Sequence, residues 1–309
     1  MAPLSPEAQT GAPAEVRTAA AAPVTAPHGR LGLGIALLLG AVGLFTLMDA
    51  AAKHLQQTYP MAQVAWARFA INLALVGMVF RGRFLPLFRT RQPLYQGLRG
   101  VMQVGTILLF FFAITHIGLA EADALFEINP VLIVLGAALF LGEKIGPRRI
   151  AAIAVAFVGA LIILRPGMSA FSLPALLAFL SAFTYTVGNL LTRVVRNDPL
   201  ATSVIWSAAV GTALTSVLLP FVWQPVAAAD FPMFLLVGLL GSAGQVLIIR
   251  AFSVAEAGIL APFGYAGLIF AGFWGWLFFD QLPDRWTVTG ALVIAGAGLY
   301  VWYRERKSA

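Results

Sequence analysis

Three carboxylates crowd the start of an otherwise apolar run. Residues 118–143 read GLAEADALFEINPVLIVLGAALFLGE, with Glu121, Asp123 and Glu127 early and Asn129 and Pro130 just after them. A carboxylate taken out of water is pushed towards its neutral form, and a neighbouring cation pulls it back towards the charged one. A Glu held between those effects takes up or releases a proton near neutral pH. Asp123 and Glu127 stand four residues apart, on one helix face with Pro130. Glu121 points elsewhere and, as a first-turn residue, suits the positive end of a helix. The cation available is Arg68, at a depth matching that of Glu127, roughly 12 Å into its own helix at 1.5 Å per residue. The chemistry this set could do is proton uptake and release at Glu127. The competing reading is a permanent Arg68–Glu127 ion pair. Pro130 lacks an N–H and frees a carbonyl one turn earlier; Asn129 beside it is a donor for that carbonyl. Pro262 sits similarly early in a later run.

A membrane must position these groups. Of the 309 residues 60% are hydrophobic and 11% charged, far below the quarter typical of soluble domains. About 20 apolar residues cross the hydrocarbon core. Ten such runs are present: 31–53, 61–80, 98–116, 119–141, 148–165, 172–192, 201–222, 232–253, 257–279 and 286–303. The fold class is therefore an all-α polytopic membrane protein. Residues 1–30, rich in Ala, Pro and Thr, read as a disordered tail, and 304–309 as a short C-terminal one.

The basic residues set the orientation. With the N-terminus inside, the inner loops hold Arg81, Arg83, Arg89, Arg91, Arg99, Lys144, Arg148, Arg149, Arg193, Arg196 and Arg250. The tails add Arg17, Arg30, Arg304, Arg306 and Lys307, and the outer side has only Lys53, Arg165 and Arg285. The formal charge of +7 is thus a topology signal and not a nucleic-acid surface. Both termini are expected in the cytoplasm, the lipid bilayer being the surrounding partner. There is no cysteine, so no disulfide, thiolate nucleophile or Cys-ligated metal.

The chain also resembles itself. DAAAK at 49–53 returns as NLLTR at 189–193, Trp66 as Trp206, LAEAD at 119–123 as VAEAG at 254–258, LGEKIGPRR at 141–149 as FFDQLPDRW at 278–286, and Gly159 falls opposite Gly296. Two five-span units, 31–167 and 168–303, follow. Five is odd, so the second unit enters the membrane inverted, a plan common among secondary transporters. A duplication in a purely structural membrane protein would leave the same trace.

On these features the chain resembles the EamA-type family of the drug/metabolite transporter superfamily. ARF at 67–69, Pro130, LGE at 141–143 and the Gly-rich fifth span ending in LRPG at 164–167 carry the likeness. Phe278-Phe279-Asp280 departs from it where the second unit would have Leu-Gly-Glu. The resemblance implies a carrier of small-molecule metabolites in the cytoplasmic (inner) membrane of a bacterium, by uptake or export. The RPG form is similar to the subgroup with riboflavin and S-adenosylmethionine carriers; an amino acid-like substrate also fits.

Binding sites for such molecules are apolar walls with a few placed polar groups. Candidates at suitable depth are Asp49, Gln103, Tyr185, Asn189, Gln245 and Tyr265, with Trp66 and Trp206 matching across the repeat. His116 has no second His at ligand spacing, and neither a metal nor a cofactor is implied. Gly267, Ala271 and Gly275 form a small-residue face for close packing, inside the chain or in a homodimer. The alternatives to a carrier are an intramembrane enzyme and a channel. LGSAG at 240–244 lacks the first Gly of a serine-protease elbow, and neither a Gly-x-Gly-Asp motif nor a P-loop is present. The topology predicts that Gln56→Cys is labelled by an impermeant thiol reagent in intact cells and Thr90→Cys is not; the reverse pattern would overturn the orientation.

Overall fold

In lipid, backbone polar groups must be satisfied within the segment, so apolar runs become helices. The computed structural model describes residues 28–80, 85–141, 146–165, 172–195, 197–255 and 257–308. The helices are α1 (His28–Leu55), α2 (Met61–Phe80), α3 (Pro93–His116), α4 (Leu119–Phe126), α5 (Asn129–Leu141) and α6 (Pro147–Leu164). The second half follows with α7 (Leu173–Val194), α8 (Leu200–Val222), α9 (Phe231–Val254), α10 (Ala257–Gly264), α11 (Ala266–Phe279) and α12 (Arg285–Ser308). Among the described residues there is no strand, and nine segments are long and apolar enough to cross a membrane. A shorter apolar stretch, Ile150–Leu164, lies in α6. The chain is a multi-pass, all-helical membrane protein.

Most expected edges hold to a few residues. The third helix begins at Pro93 rather than 98, because a proline at N1 suits a helix start. The last continues to Ser308, through positions read as a tail. Of the N-terminal tail, residues 1–27 lie outside the described residues, and His28 already opens α1. Gly142 and Glu143 of the LGE motif and Pro166 and Gly167 of LRPG lie outside them too.

Two spans are broken. α4 stops at Phe126, Glu127 caps it, and α5 resumes at Asn129. The missing N–H of Pro130 explains the interruption. The carbonyl it would have bonded, that of Phe126, accepts instead from Asn129 Nδ2 at 3.0 Å. In the ninth span α10 runs past Pro262 to Gly264, and the break falls at Tyr265.

The helix pairings fall into a pattern. α1 lies along α9 as α7 lies along α3, while α2 packs on α8 and α6 on α12. Exchanging the halves therefore maps these contacts onto themselves. α2 and α8, counterparts in the repeat expected from the sequence, run antiparallel. Trp66 near the start of α2 meets Trp223 just after α8, with ring centroids 6.1 Å apart; Trp206 near the start of α8 meets Phe88 beyond α2 at 6.2 Å. The small-residue face is used within the chain. Gly267, Ala271 and Gly275 are buried, with Val42 of α1 beside Gly267 and Leu119 of α4 beside Gly275, which leaves none of it for a second copy.

Side-chain bonds tie the loops at each end. At the end read as outer, Tyr59 donates to Asp230 (2.7 Å) and accepts from the Ala227 amide (3.0 Å), and Arg165 pairs with Asp284. Slight burial raises the Asp284 carboxyl, but the Thr287 amide and the Arg165 guanidinium outweigh it and hold it below the usual carboxylate range. Gln56 is buried and accepts from Thr115 at 2.6 Å, so the exposed Gln57 is the better labelling position. At the opposite end Gln96, fully buried, donates to Asp198 (2.9 Å) and Ser203 (3.2 Å).

Gln63 is 1% exposed and bonds both backbone groups of Gln224, donating to its carbonyl (2.8 Å) and accepting from its amide (3.0 Å). Gln63→Leu should lower stability by about 2–4 kcal/mol, since each stranded buried group costs about 1–3 kcal/mol. Gln57→Leu should stay within about 0.5 kcal/mol of the parent. Thermal unfolding of purified protein distinguishes the two; equal effects would remove the junction from the account.

Candidate substrate cavity

A cavity of about 1130 Å³ lies between the halves. Asp49 of α1, Arg68 of α2, Gln103 of α3, Asp123 and Glu127 at the end of α4, and Asn129 and Pro130 at the start of α5 all line it. From the second half come Tyr185, Asn189, Gln245, Pro262 and Tyr265. Trp66 and Trp206 do not. Trp66 donates to Ser216 (2.9 Å) and Trp206 to the Phe88 carbonyl (3.2 Å), so they serve the α2–α8 junctions. His116 lies in a separate hollow of about 730 Å³ at the end read as outer, with Lys53, whose Nζ donates to the Ile117 carbonyl at 2.6 Å.

The cavity is polarised along its length. Its lining extends to Arg193 near the end of α7, Ser253 in α9 and Trp302 in α12, the end where the sequence places its basic residues. None of the residues 56–60, 223–230 or 280–284 at the other end lines it. The carboxylates therefore sit at the closed end.

There Asp123 is buried while Asp49, Arg68 and Glu127 are half-buried. Glu127 N bonds the Asp123 carbonyl at 2.9 Å, which stacks the two acids on the last turn of α4. Asp123 Oδ2 has no hydrogen-bond partner. Opposite stands Gly267, where a Cβ would lie 3.4 Å from Asp123 Oδ2 and 3.6 Å from Glu127 Oε1. Arg68 feels the charge of Asp49 and lies over the Phe111 ring, 6.0 Å from its centroid. Among the described residues no ion pair within 4 Å joins Arg68 to Glu127, so the permanent pair weighed from the sequence is not formed. Matching depth places two residues at one level, but it does not say which way they face. Glu121, in the first turn of α4, is outside the lining.

Tyr265 reaches from the second break to α12. Its hydroxyl occupies the space where Gly298 would carry a Cβ, 1.7 Å from that position, and makes no hydrogen bond. Phe126 and Tyr185 face each other with centroids 5.1 Å apart.

The sequence reading missed several lining groups. Asn72 donates to Ser242 at 2.9 Å; its place four residues after Arg68, hence on the same face, was the available signal. Arg99 was counted with the inner-loop cations although it falls inside the expected run 98–116. It lines the cavity and donates to the Ser203 carbonyl and to Ser207 Oγ, the latter at 2.7 Å.

Apolar helices with two broken spans surround a cavity closed at one end, an arrangement found among membrane transporters. Residues 32–165 match the EamA-like transporter family, and the chain belongs to that family. It is 33% identical over 271 residues to the pseudopaline exporter CntI of Pseudomonas aeruginosa, covering 85% of this chain and 94% of that protein. It is 31% identical to a riboflavin transporter of Rhizobium johnstonii (86% and 90% covered) and 26% identical to an S-adenosylmethionine uptake transporter of Rickettsia prowazekii (89% and 94%). One crystal structure shares the fold at 18% identity with a TM-score of 0.61, over 90% of this chain and 99% of that one. The protein is thus a transporter of the drug/metabolite type, which sets aside the intramembrane enzyme.

Gly298→Ala must displace Tyr265 and should cost about 1–3 kcal/mol, as overpacking does, together with transport. Gly296→Ala, two positions away in open space, should be neutral or up to about 1 kcal/mol stabilising. Melting curves and flux on both variants check this; an intact, active Gly298→Ala protein would break the link between Tyr265 and the cavity.

Proposed function

We propose that this chain is a proton-coupled secondary transporter that moves a small organic metabolite across the cytoplasmic membrane by alternating access. Two inverted units, 31–167 and 168–303, supply two faces that open in turn, and both termini lie in the cytoplasm. The antiparallel α2–α8 pair and the exchange symmetry of the other contacts support the inversion. The bonds of Tyr59 and Gln63 across the outer end favour a carrier over a channel, which needs a path open at both ends.

The observation that carries the reading is the carboxylate excess at the closed end: Asp49, Asp123 and Glu127 against Arg68. Ionised carboxylates in a membrane interior cost a few kcal/mol each and mark substrate or proton paths. Glu127 carries the coupling proton, next to Asp123 and at a helix break that can change shape. A carrier couples only if proton and substrate bias the same conformational equilibrium, and a group lining the cavity at the break meets both. The names of the relatives favour a polar organic substrate of the amino acid-like, riboflavin or S-adenosylmethionine kind, moved inward or outward.

Glu127→Gln keeps shape and hydrogen bonding but cannot ionise. In proteoliposomes it should reduce gradient-driven accumulation at least tenfold while sparing exchange of labelled for unlabelled substrate. Accumulation equal to the parent would make Glu127 structural and move the coupling site to Asp123 or Asp49.

A further inference from the structure

We propose that the hollow at the end read as outer is a headgroup site for a phospholipid that carries both a phosphate and a primary ammonium, an ethanolamine phospholipid. The site is separate from the central cavity and independent of what that cavity carries.

Position gives the first reason. The hollow holds about 730 Å³ and is walled by residues at the ends of α1, α3 and α11. These are the last turns of three spans, the level at which headgroups meet helices and Trp collects. The α11 wall is apolar and faces outwards, Trp276 being 49% and Phe278 54% exposed. On a multi-pass membrane protein such side chains meet lipid. Gln57 and His116 give the rest of the rim an exposed, polar character. A free solute has no use for the apolar wall, whereas a lipid uses both.

Charge gives the second. Lys53 is 6% exposed, and one of its three N–H donors goes to the Ile117 carbonyl at 2.6 Å. The other two serve a phosphate oxygen in the hollow that Lys53 lines. The Phe279 ring lies under the ammonium, 5.3 Å from Nζ to centroid. Asp280 brings a carboxylate to the same hollow, and Glu121 of α4 acts on Lys53 from outside the lining. The C-terminal ends of the three helices add their negative poles. Among the described residues no ion pair within 4 Å joins Lys53 to Asp280. The hollow thus presents one cation and one carboxylate that do not satisfy each other.

Donor chemistry narrows the headgroup. His116 Nδ1 pairs with the Phe112 carbonyl at 2.9 Å. A carbonyl only accepts, so Nδ1 donates, and in the neutral ring Nε2 is left as an acceptor. Asp280 and the helix-end carbonyls are acceptors too. A primary ammonium has N–H groups for them, a trimethylammonium has none, and a purely anionic headgroup leaves Asp280 unanswered. The rim is also built to hold its shape. Asp280 takes a left-handed backbone, φ 53°, which Asp tolerates better than most residues. Its amide bonds the Trp276 carbonyl at 3.1 Å, and the Gln281 amide bonds that of Gly275 at 3.0 Å. The chain is thereby folded back over the end of α11.

The test is lipid binding to the full chain, delipidated in dodecylmaltoside, without membrane or gradient. The probes are dioleoyl phospholipids with ethanolamine, choline or glycerol headgroups. Soluble glycerophosphoethanolamine is a further arm that separates a free phosphate ester from a lipid. Native mass spectrometry counts bound molecules, and the melting temperature follows occupancy. The ethanolamine lipid should bind saturably and about tenfold tighter than either other lipid, because only it makes charge-assisted bonds to both groups. The soluble ester should not bind at matching concentration. Asp280→Asn keeps the shape and tolerates the left-handed backbone but loses the charge. Lys53→Met keeps the stem and loses the ammonium. Each should weaken the ethanolamine lipid about tenfold in protein that elutes as a folded species. Asp280→Asn carries the test where loss of the Ile117 bond unfolds Lys53→Met. Equal binding of the three lipids, a preference for the choline or glycerol lipid, soluble ester binding as tightly as the lipid, or an undiminished ethanolamine preference in the folded variants would each overturn the site. No flux is measured, so neither result bears on the transport experiment with Glu127→Gln.

Discussion

A buried carboxylate oxygen without a hydrogen-bond partner is costly anywhere and costlier in a membrane; Asp123 Oδ2 is one. Much of the surrounding structure lets it stay there. The fourth span breaks at Glu127 and Ile128, so Glu127 caps a short helix whose last turn carries Asp123, and neither lies inside a long helix. Asn129 takes over the carbonyl that Pro130 leaves free, which keeps the break from adding a second unsatisfied group. Gly267 packs close against both acids, a Cβ there lying 3.4 Å from Asp123 Oδ2 and 3.6 Å from Glu127 Oε1. The break in the ninth span sends Tyr265 across to Gly298, which fixes the opposite wall.

The proposed motion around this point draws on the exchange pattern of the helix contacts. The same pairings occur twice, α1 with α9 and α7 with α3, and counterpart helices α2 and α8 cross antiparallel. Each end of that crossing is tied by its own polar contacts. Gln63 and Tyr59 hold one end and Gln96 and Trp206 the other. The Tyr59 and Gln63 contacts stand over the closed end of the cavity, while the Gln96 and Trp206 contacts lie at the other end, beside its lining at Arg99 and Ser203. Relative movement of the halves in the opposite sense would expose the same acids to the other side.

Much of the fold was legible because the membrane leaves few choices. Apolar length alone located the spans. Helix edges slipped where a polar residue is buried by another helix: Gln96 made the start of α3 read as loop, yet Asp198 and Ser203 satisfy it. Lining residues such as Asp49, Glu127 and Tyr265 could be picked out because polar side chains at mid-depth have few other places to go. The partner of Arg68 could not. Whether it reaches Glu127 depends on how α2 and α4 are rotated about their axes, and no spacing along the chain encodes that. Trp66 and Trp206 misled for a related reason, since symmetry-matched aromatics serve helix junctions as readily as ligands.

The central claim is that one set of acids is reached from one side at a time. Val42 lines the cavity beside Gly267, and the chain has no native cysteine, so Val42→Cys reports access to the closed end. The measurement is its rate of labelling by an impermeant methanethiosulfonate, applied to either face of oriented vesicles, with and without an imposed pH gradient. The account predicts labelling from the basic face at rest and a gain of labelling from the opposite face, with loss from the first, when the gradient drives turnover. Simultaneous access from both faces, or rates that no gradient changes, would contradict it.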